Sequence, residues 1–206
     1  MLDADTLISP DYTIRLVDFM CQPGYEAVAV VQSPYSTFPR APHTLQRIAG
    51  AQTDIQYLLH QGLTYYDATY WVGANAVVRT AALRTIMTIA EERGFTVPKF
   101  IQDRTLIEDT ESTIDLICQG WQLLNYPQRL AFSATPPDFG SLLIQRRRWA
   151  KGGLLILPKL LRYVRSTGVT LSVIAELCMR TQYLLSLGPV SITFLFVVFG
   201  SSPCLR

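Results

Sequence analysis

No charged side chain occurs between positions 181 and 205, and residues 183–199 are almost wholly apolar. As a helix those positions extend about 26 Å, close to the thickness of a hydrocarbon core. The sequence therefore predicts a transmembrane helix within a C-terminal region of residues 169–206. The charge ahead of it points the same way. Residues 139–206 carry one acid, Glu176, and nine bases, whereas residues 1–138 carry fifteen acids and nine bases. Lys and Arg gather on the cytoplasmic side of a bilayer, so the expected location is the cell membrane, with the preceding part on its cytoplasmic side. These bases merge into apolar sequence and do not interleave with aromatics, which argues against nucleic acid as a partner. With 49% hydrophobic and 17% charged residues the chain cannot be disordered.

Strand and helix signals alternate through the first 130 residues, the pattern of an α/β domain. Residues 1–5 look like the end of a buried strand. Ser9 as N-cap and Pro10 at the first helical position open a helix to Met20, with Ile14, Leu16 and Val17 on its apolar side. Residues 27–31 read as a central strand, 33–42 as loop, and 43–61 as a helix ended by Gly62. Strand pieces are expected at 70–73 and 76–78, then a helix at 80–93 closed by Gly94. Phe100 and Ile101 are candidates for the start of another strand. Residues 110–119 should be helical with Gly120 as the stop, and 121–126 should return as strand. Asp138 caps a helix carrying residues 145–149, and Gly152-Gly153 breaks it. Residues 151–168 then form an amphipathic segment suited to an interface plane. Glu176 and Arg180 are spaced to pair on a helix. Cys21, Cys118, Cys178 and Cys204 lie far apart, which predicts free buried thiols in place of zinc or disulfides.

Three clusters could carry chemistry. Asp3-Ala4-Asp5 offers two carboxylates on one face of an extended segment, where a hard divalent cation can bridge them to a diphosphate. Glu108-Asp109 stands just ahead of a helix, suited either to simple capping or to a general base at a cleft mouth. Gln145, Arg148 and Trp149 share one helical face, with Arg for a diphosphate, Trp for a sugar ring and Gln for hydroxyls. A basic cluster beside a membrane is the plainer reading of the last group.

The order D-x-D, E-D, Q-x-x-R-W, amphipathic segment and hydrophobic span resembles processive family 2 glycosyltransferases of the cellulose synthase and hyaluronan synthase type. Residues 71–79, Trp-Val-Gly-Ala-Asn-Ala-Val-Val-Arg, are similar to that family's acceptor-side segment. The resemblance implies the C-terminal half of a GT-A (Rossmann-like) domain over residues 1–150. It also implies inverting transfer from a nucleotide-sugar donor, a UDP-sugar, to a growing polysaccharide or membrane-associated, lipid-linked acceptor. On the same basis Asp3 and Asp5 hold Mg²⁺ or Mn²⁺, Asp109 with Glu108 supplies the base, and Gln145, Arg148 and Trp149 cover the diphosphate and the acceptor sugar. Gly73 and Asn75 fall in the acceptor segment.

Two departures stand out: Ile107 replaces the Thr of the family's T-E-D, and Ala74 stands where Ser or Thr is common. The family's nucleobase strands precede D-x-D, so this chain is expected to be an N-terminally truncated portion without synthase activity alone. A non-catalytic, membrane-anchored remnant is the alternative. Leu2-Asp3-Ala4-Asp5-Thr6 also fits the opening of haloacid dehalogenase-type phosphatases, though only three lysines are present and the apolar span is foreign to that design.

Overall fold

A computed structural model describes residues 1–73, 75–102, 105–168 and 170–186. The chain opens with β1 (Thr6–Ile8) and α1 (Tyr12–Met20). The helix begins later than Ser9-Pro10 suggests, with Asp11 as N-cap. Its buried stripe is Tyr12, Leu16 and Met20, while Ile14 and Val17 face outward. Spacing by four residues outweighs hydrophobicity in deciding which side packs. The apolar run forms β2 (Val28–Gln32), buried at every position as a strand covered on both faces must be. Val28 and Val31 pack on α1.

Residues 33–42 are not all loop, because β3 (Tyr35–Thr37) lies within them. Then α2 (Thr44–Tyr65) runs straight through Gly62. Residues 70–73 form no strand, whereas β4 (Ala76–Val78) does. The predicted helix at 80–93 divides into α3 (Thr80–Thr85), β5 (Thr88–Glu92) and β6 (Phe95–Lys99). Arg93 and Gly94 join the two strands at φ 52° and 82°. This is the mirror-image two-residue turn whose twist suits a hairpin, so Gly94 turns a strand and does not cap a helix. Phe100 and Ile101 follow that hairpin and start no strand.

Next come α4 (Glu108–Cys118), β7 (Gln122–Asn125) and β8 (Ala131–Ser133), then α5 (Phe139–Thr167) and α6 (Leu171–Ser186). Central β2 pairs antiparallel with β4 and parallel with β7. A second sheet has the order β1-β8-β3. Ala29 and Val30 meet Ala82, Ile86 and Leu116, so helices cover β2 from more than one side. The α/β class expected from the sequence is the class observed.

Helix α5 corrects the expected break at Gly152-Gly153 and carries the 150/151 division inside a single element. It is continuous over 29 residues, and Asp138 caps it by accepting a hydrogen bond from the Ser141 amide at 2.9 Å. Gly152 serves packing. A Cβ at Gly152 would lie 2.7 Å from Cγ1 of Ile107, so the bare backbone lets α5 close on the residue preceding α4. Gly152→Ala is expected to lower stability by about 1–2 kcal/mol, the overpacking cost less the gain in helix propensity, read as a lower urea midpoint at unchanged slope. A midpoint at or above wild type would show that Ile107 yields freely.

Among the described residues no helix is long and apolar enough to cross a membrane. The predicted span begins inside α6, and Tyr183 and Leu184 are buried with Tyr70, Ile114, Ile156 and Leu160. Residues 187–199 of that span lie outside the described residues. Arg180 anchors α6. It pairs with Glu176 at 2.8 Å as its spacing predicts, donates to the Thr69 carbonyl at 2.9 Å and to the Asp67 carbonyl, and lies over the Tyr70 ring. Cys21, Cys118 and Cys178 are free but exposed, contrary to the expected burial, and Cys204 lies outside the described residues.

Candidate active site

Leu2 bridges Asn75, and the chain then turns at once, with the Thr6 amide bonded to the Asp3 carbonyl at 3.1 Å. Asp3-Ala4-Asp5 is therefore an exposed turn and not the end of a buried, extended strand. Pairing of β1 with β8 brings Asp5 beside Ser133, whose hydroxyl donates to Asp5 Oδ1 at 3.3 Å. The Asp3 carboxyl is pushed upward by partial desolvation and by repulsion from Asp5 and Glu108, with Arg148 acting in the opposite direction. These four charges thus share one field. Asp5, Gln145 and Arg148 line a cavity of about 490 Å³, together with Thr135 and Pro136.

Asp109 occupies the first turn of α4, where Gly73 makes room for it. That glycine has φ 83°, and a Cβ on it would lie 2.5 Å from Asp109 Oδ2. Asp109 Oδ1 accepts from the Thr110 amide at 2.6 Å and from the Thr110 hydroxyl at 3.3 Å. Desolvation raises the carboxyl to about 6, with Glu108 adding repulsion and the Thr110 bonds acting against the rise. A carboxylate tuned toward neutrality is suited to accept a proton from a hydroxyl. It opens into a slot of about 30 Å³ bounded by Tyr35, Ile107, Trp149 and Tyr183. That volume admits a water or a hydroxyl but no sugar ring.

The three residues expected on one face of α5 are divided between these spaces. Gln145 and Arg148 face the larger cavity, and Trp149 faces the slot. Asn75 lines neither. It is buried, accepting from Tyr12 at 3.3 Å and Ser33 at 3.1 Å, and so holds the start of the acidic turn in place. Arg79 is likewise structural, donating to the carbonyls of Met20, Tyr25 and Val28. Among the described residues no group of three His, Cys, Asp or Glu side chains could hold a metal.

Sequence reasoning missed Arg146, Tyr35 and Tyr183. Arg146 is buried, its guanidinium lies 4.4 Å from the Trp149 ring centroid, and desolvation lowers it to about 10. Its signal was present, because positions 142, 146, 153, 156 and 160 form one buried helical stripe. Tyr35 stood in a presumed loop, and Tyr183 was absorbed into the predicted membrane span.

A mixed α/β domain with an acidic turn, a desolvated carboxylate and a Q-x-x-R-W helix is consistent with a GT-A-type glycosyltransferase domain. Residues 1–204 match the family described as Glycosyl transferase family group 2, and the chain belongs to that family. It is 26% identical over 163 residues to a rice protein (Oryza sativa subsp. japonica) named Probable glucomannan 4-beta-mannosyltransferase 7. The match covers 78% of this chain and 25% of that relative, so it spans a quarter of the relative's length. Membership displaces the phosphatase reading of the acidic turn.

Proposed function

We propose that this chain is part of a glycosyltransferase moving a sugar from a nucleoside-diphosphate sugar to a β-linked polysaccharide, with inversion at the anomeric carbon. The observation that carries this reading is that successive residues of α5 serve two spaces: Trp149 lines the slot with Asp109, and Arg148 lines the cavity with Asp5 and Gln145. In it Trp149 stacks on the terminal sugar of the acceptor, whose hydroxyl enters the slot. Asp109 takes the hydroxyl proton as the oxygen bonds to the anomeric carbon and the bond to the diphosphate breaks. Arg148 and Gln145 bind the departing diphosphate through charge and hydrogen bonds. The rice relative's name describes a β-linkage, and a single displacement from an α-linked sugar nucleotide makes one.

Asp3 and Asp5 are the residues to hold Mg²⁺ or Mn²⁺. Two hard carboxylates with mutual repulsion would suit such a cation. When bound, it neutralises charge on the diphosphate. Attachment to the cytoplasmic face of a membrane is part of the same reading, supported by the basic balance of residues 139–206 and the apolar sequence beyond Ser186.

Labelled UDP- and GDP-hexoses, offered to the full chain with and without Mn²⁺, test this directly. Metal-dependent retention, weakened at least about tenfold by Asp5→Asn, is expected. Retention equal with and without metal, or untouched by that substitution, would overturn the assignment of the acidic turn.

A further inference from the structure

The described part of the slot over Asp109 is not built from the transferase motifs alone. One wall is Tyr183, carried by α6, about thirty residues beyond Trp149. Its ring lies 5.3 Å from Tyr70 in a stacked arrangement and 4.6 Å from His60. Its hydroxyl sits 2.7 Å from His60 Nε2 and accepts from Gln56 Nε2 at 3.1 Å. His60 is wholly buried and engages Thr69 at 3.0 Å through its other nitrogen. These contacts hold the Tyr183 ring at a single setting, and the buried Arg180 fixes the helix one turn earlier.

We propose that Tyr183 is a positioning residue of the acceptor slot, its ring excluding bulk water from Asp109 and setting the approach of the acceptor hydroxyl. The inference rests on the acceptor reading of Trp149 and Asp109. It also makes α6 part of the site. The size of the slot is what gives the ring this role. With about 30 Å³ of free space, loss of a phenol ring multiplies the room several-fold and admits water in numbers. Water that reaches Asp109 competes with the acceptor for the anomeric carbon, and the donor is then hydrolysed to free sugar and nucleoside diphosphate. Water also solvates the carboxylate and lowers its proton affinity.

The test has two readouts. In membranes carrying the intact enzyme that contains this chain, Tyr183→Ala and the milder Tyr183→Leu should raise the ratio of donor hydrolysis to sugar transfer at least about fivefold. Tyr183→Phe, which keeps the wall and loses the hydroxyl bonds, should stay within about twofold. In the purified chain, carbon-13 titration of the Asp109 carboxyl should show a midpoint lowered by about one unit or more in Tyr183→Leu. An unchanged ratio in both Tyr183→Ala and Tyr183→Leu overturns the proposal, whatever the midpoint does. If the intact enzyme containing this chain turns over no sugar nucleotide, the transferase reading fails instead. The titration then still decides the wall: an unmoved midpoint ends that idea too.

Discussion

In an intact enzyme containing this chain, Asp109→Asn is expected to reduce sugar transfer at least about 10²-fold while leaving sugar-nucleotide binding near wild type. The amide keeps the shape of the carboxyl and the contact with Gly73 but cannot accept the acceptor's proton. The wild-type pH profile belongs to the same result. Burial raises the Asp109 carboxyl to about 6, so its ionised, competent form is lost as pH falls through about 6 and not through about 4. Transfer should therefore rise about tenfold per unit below that midpoint and level off above it. The linkage to stability has the opposite sense. Between about 4 and 6 the folded chain holds this proton more tightly than the unfolded chain does, so this group's contribution to folding is present at low pH and lost as pH rises through that window. Asp109→Asn should remove both dependences together. Transfer by the variant at wild-type rate would take Asp109 out of the base role.

Gly73→Ala should be nearly as damaging, though residue 73 carries no functional group. The added methyl would have to occupy space 2.5 Å from Asp109 Oδ2, at a backbone φ of 83° that alanine adopts only at a cost of about 1–2 kcal/mol. Displacing the base by about 1 Å is enough to lose about 10² in rate. Gly94→Ala separates strain from displacement. Gly94 has a similar φ of 82°, but nothing stands within 4 Å of its Cβ position. That variant should lose comparable stability and keep its transfer rate. Equal loss of transfer in both variants would mean that backbone strain alone, not pressure on Asp109, explains the first.

Much of the fold was legible where a local pattern had a single physical outcome. The run ending at Val31 is most simply a central strand and is one, and the Asp138 cap was readable because its partner amide is three residues away. The helix at 80–93 failed because Thr88, Ile89, Thr96 and Val97 suit a hairpin as well as apolar periodicity suits a helix, and pairing between strands decided it. Gly152-Gly153 was misread for a related cause. A glycine pair signals a break only when no neighbouring element needs the space, and Ile107 needs it. The short strands β3 and β8 left no signal, since three residues carry no period and owe their state to each other.

The sequence by itself determined which chemical groups the site could contain: the carboxylates at 3, 5, 108 and 109, and the Gln145, Arg148 and Trp149 helix face. Spacing and residue type are local properties, and the order of the motifs they form suffices to suggest a family. Only the tertiary structure decided which groups meet. It turned the acidic pair toward Ser133 and Arg148, set Gly73 against Asp109, withdrew Asn75 into the interior, and brought Tyr35 and Tyr183 to Asp109. The physical reason is that desolvation and close approach arise between elements distant in sequence, and no local pattern encodes them.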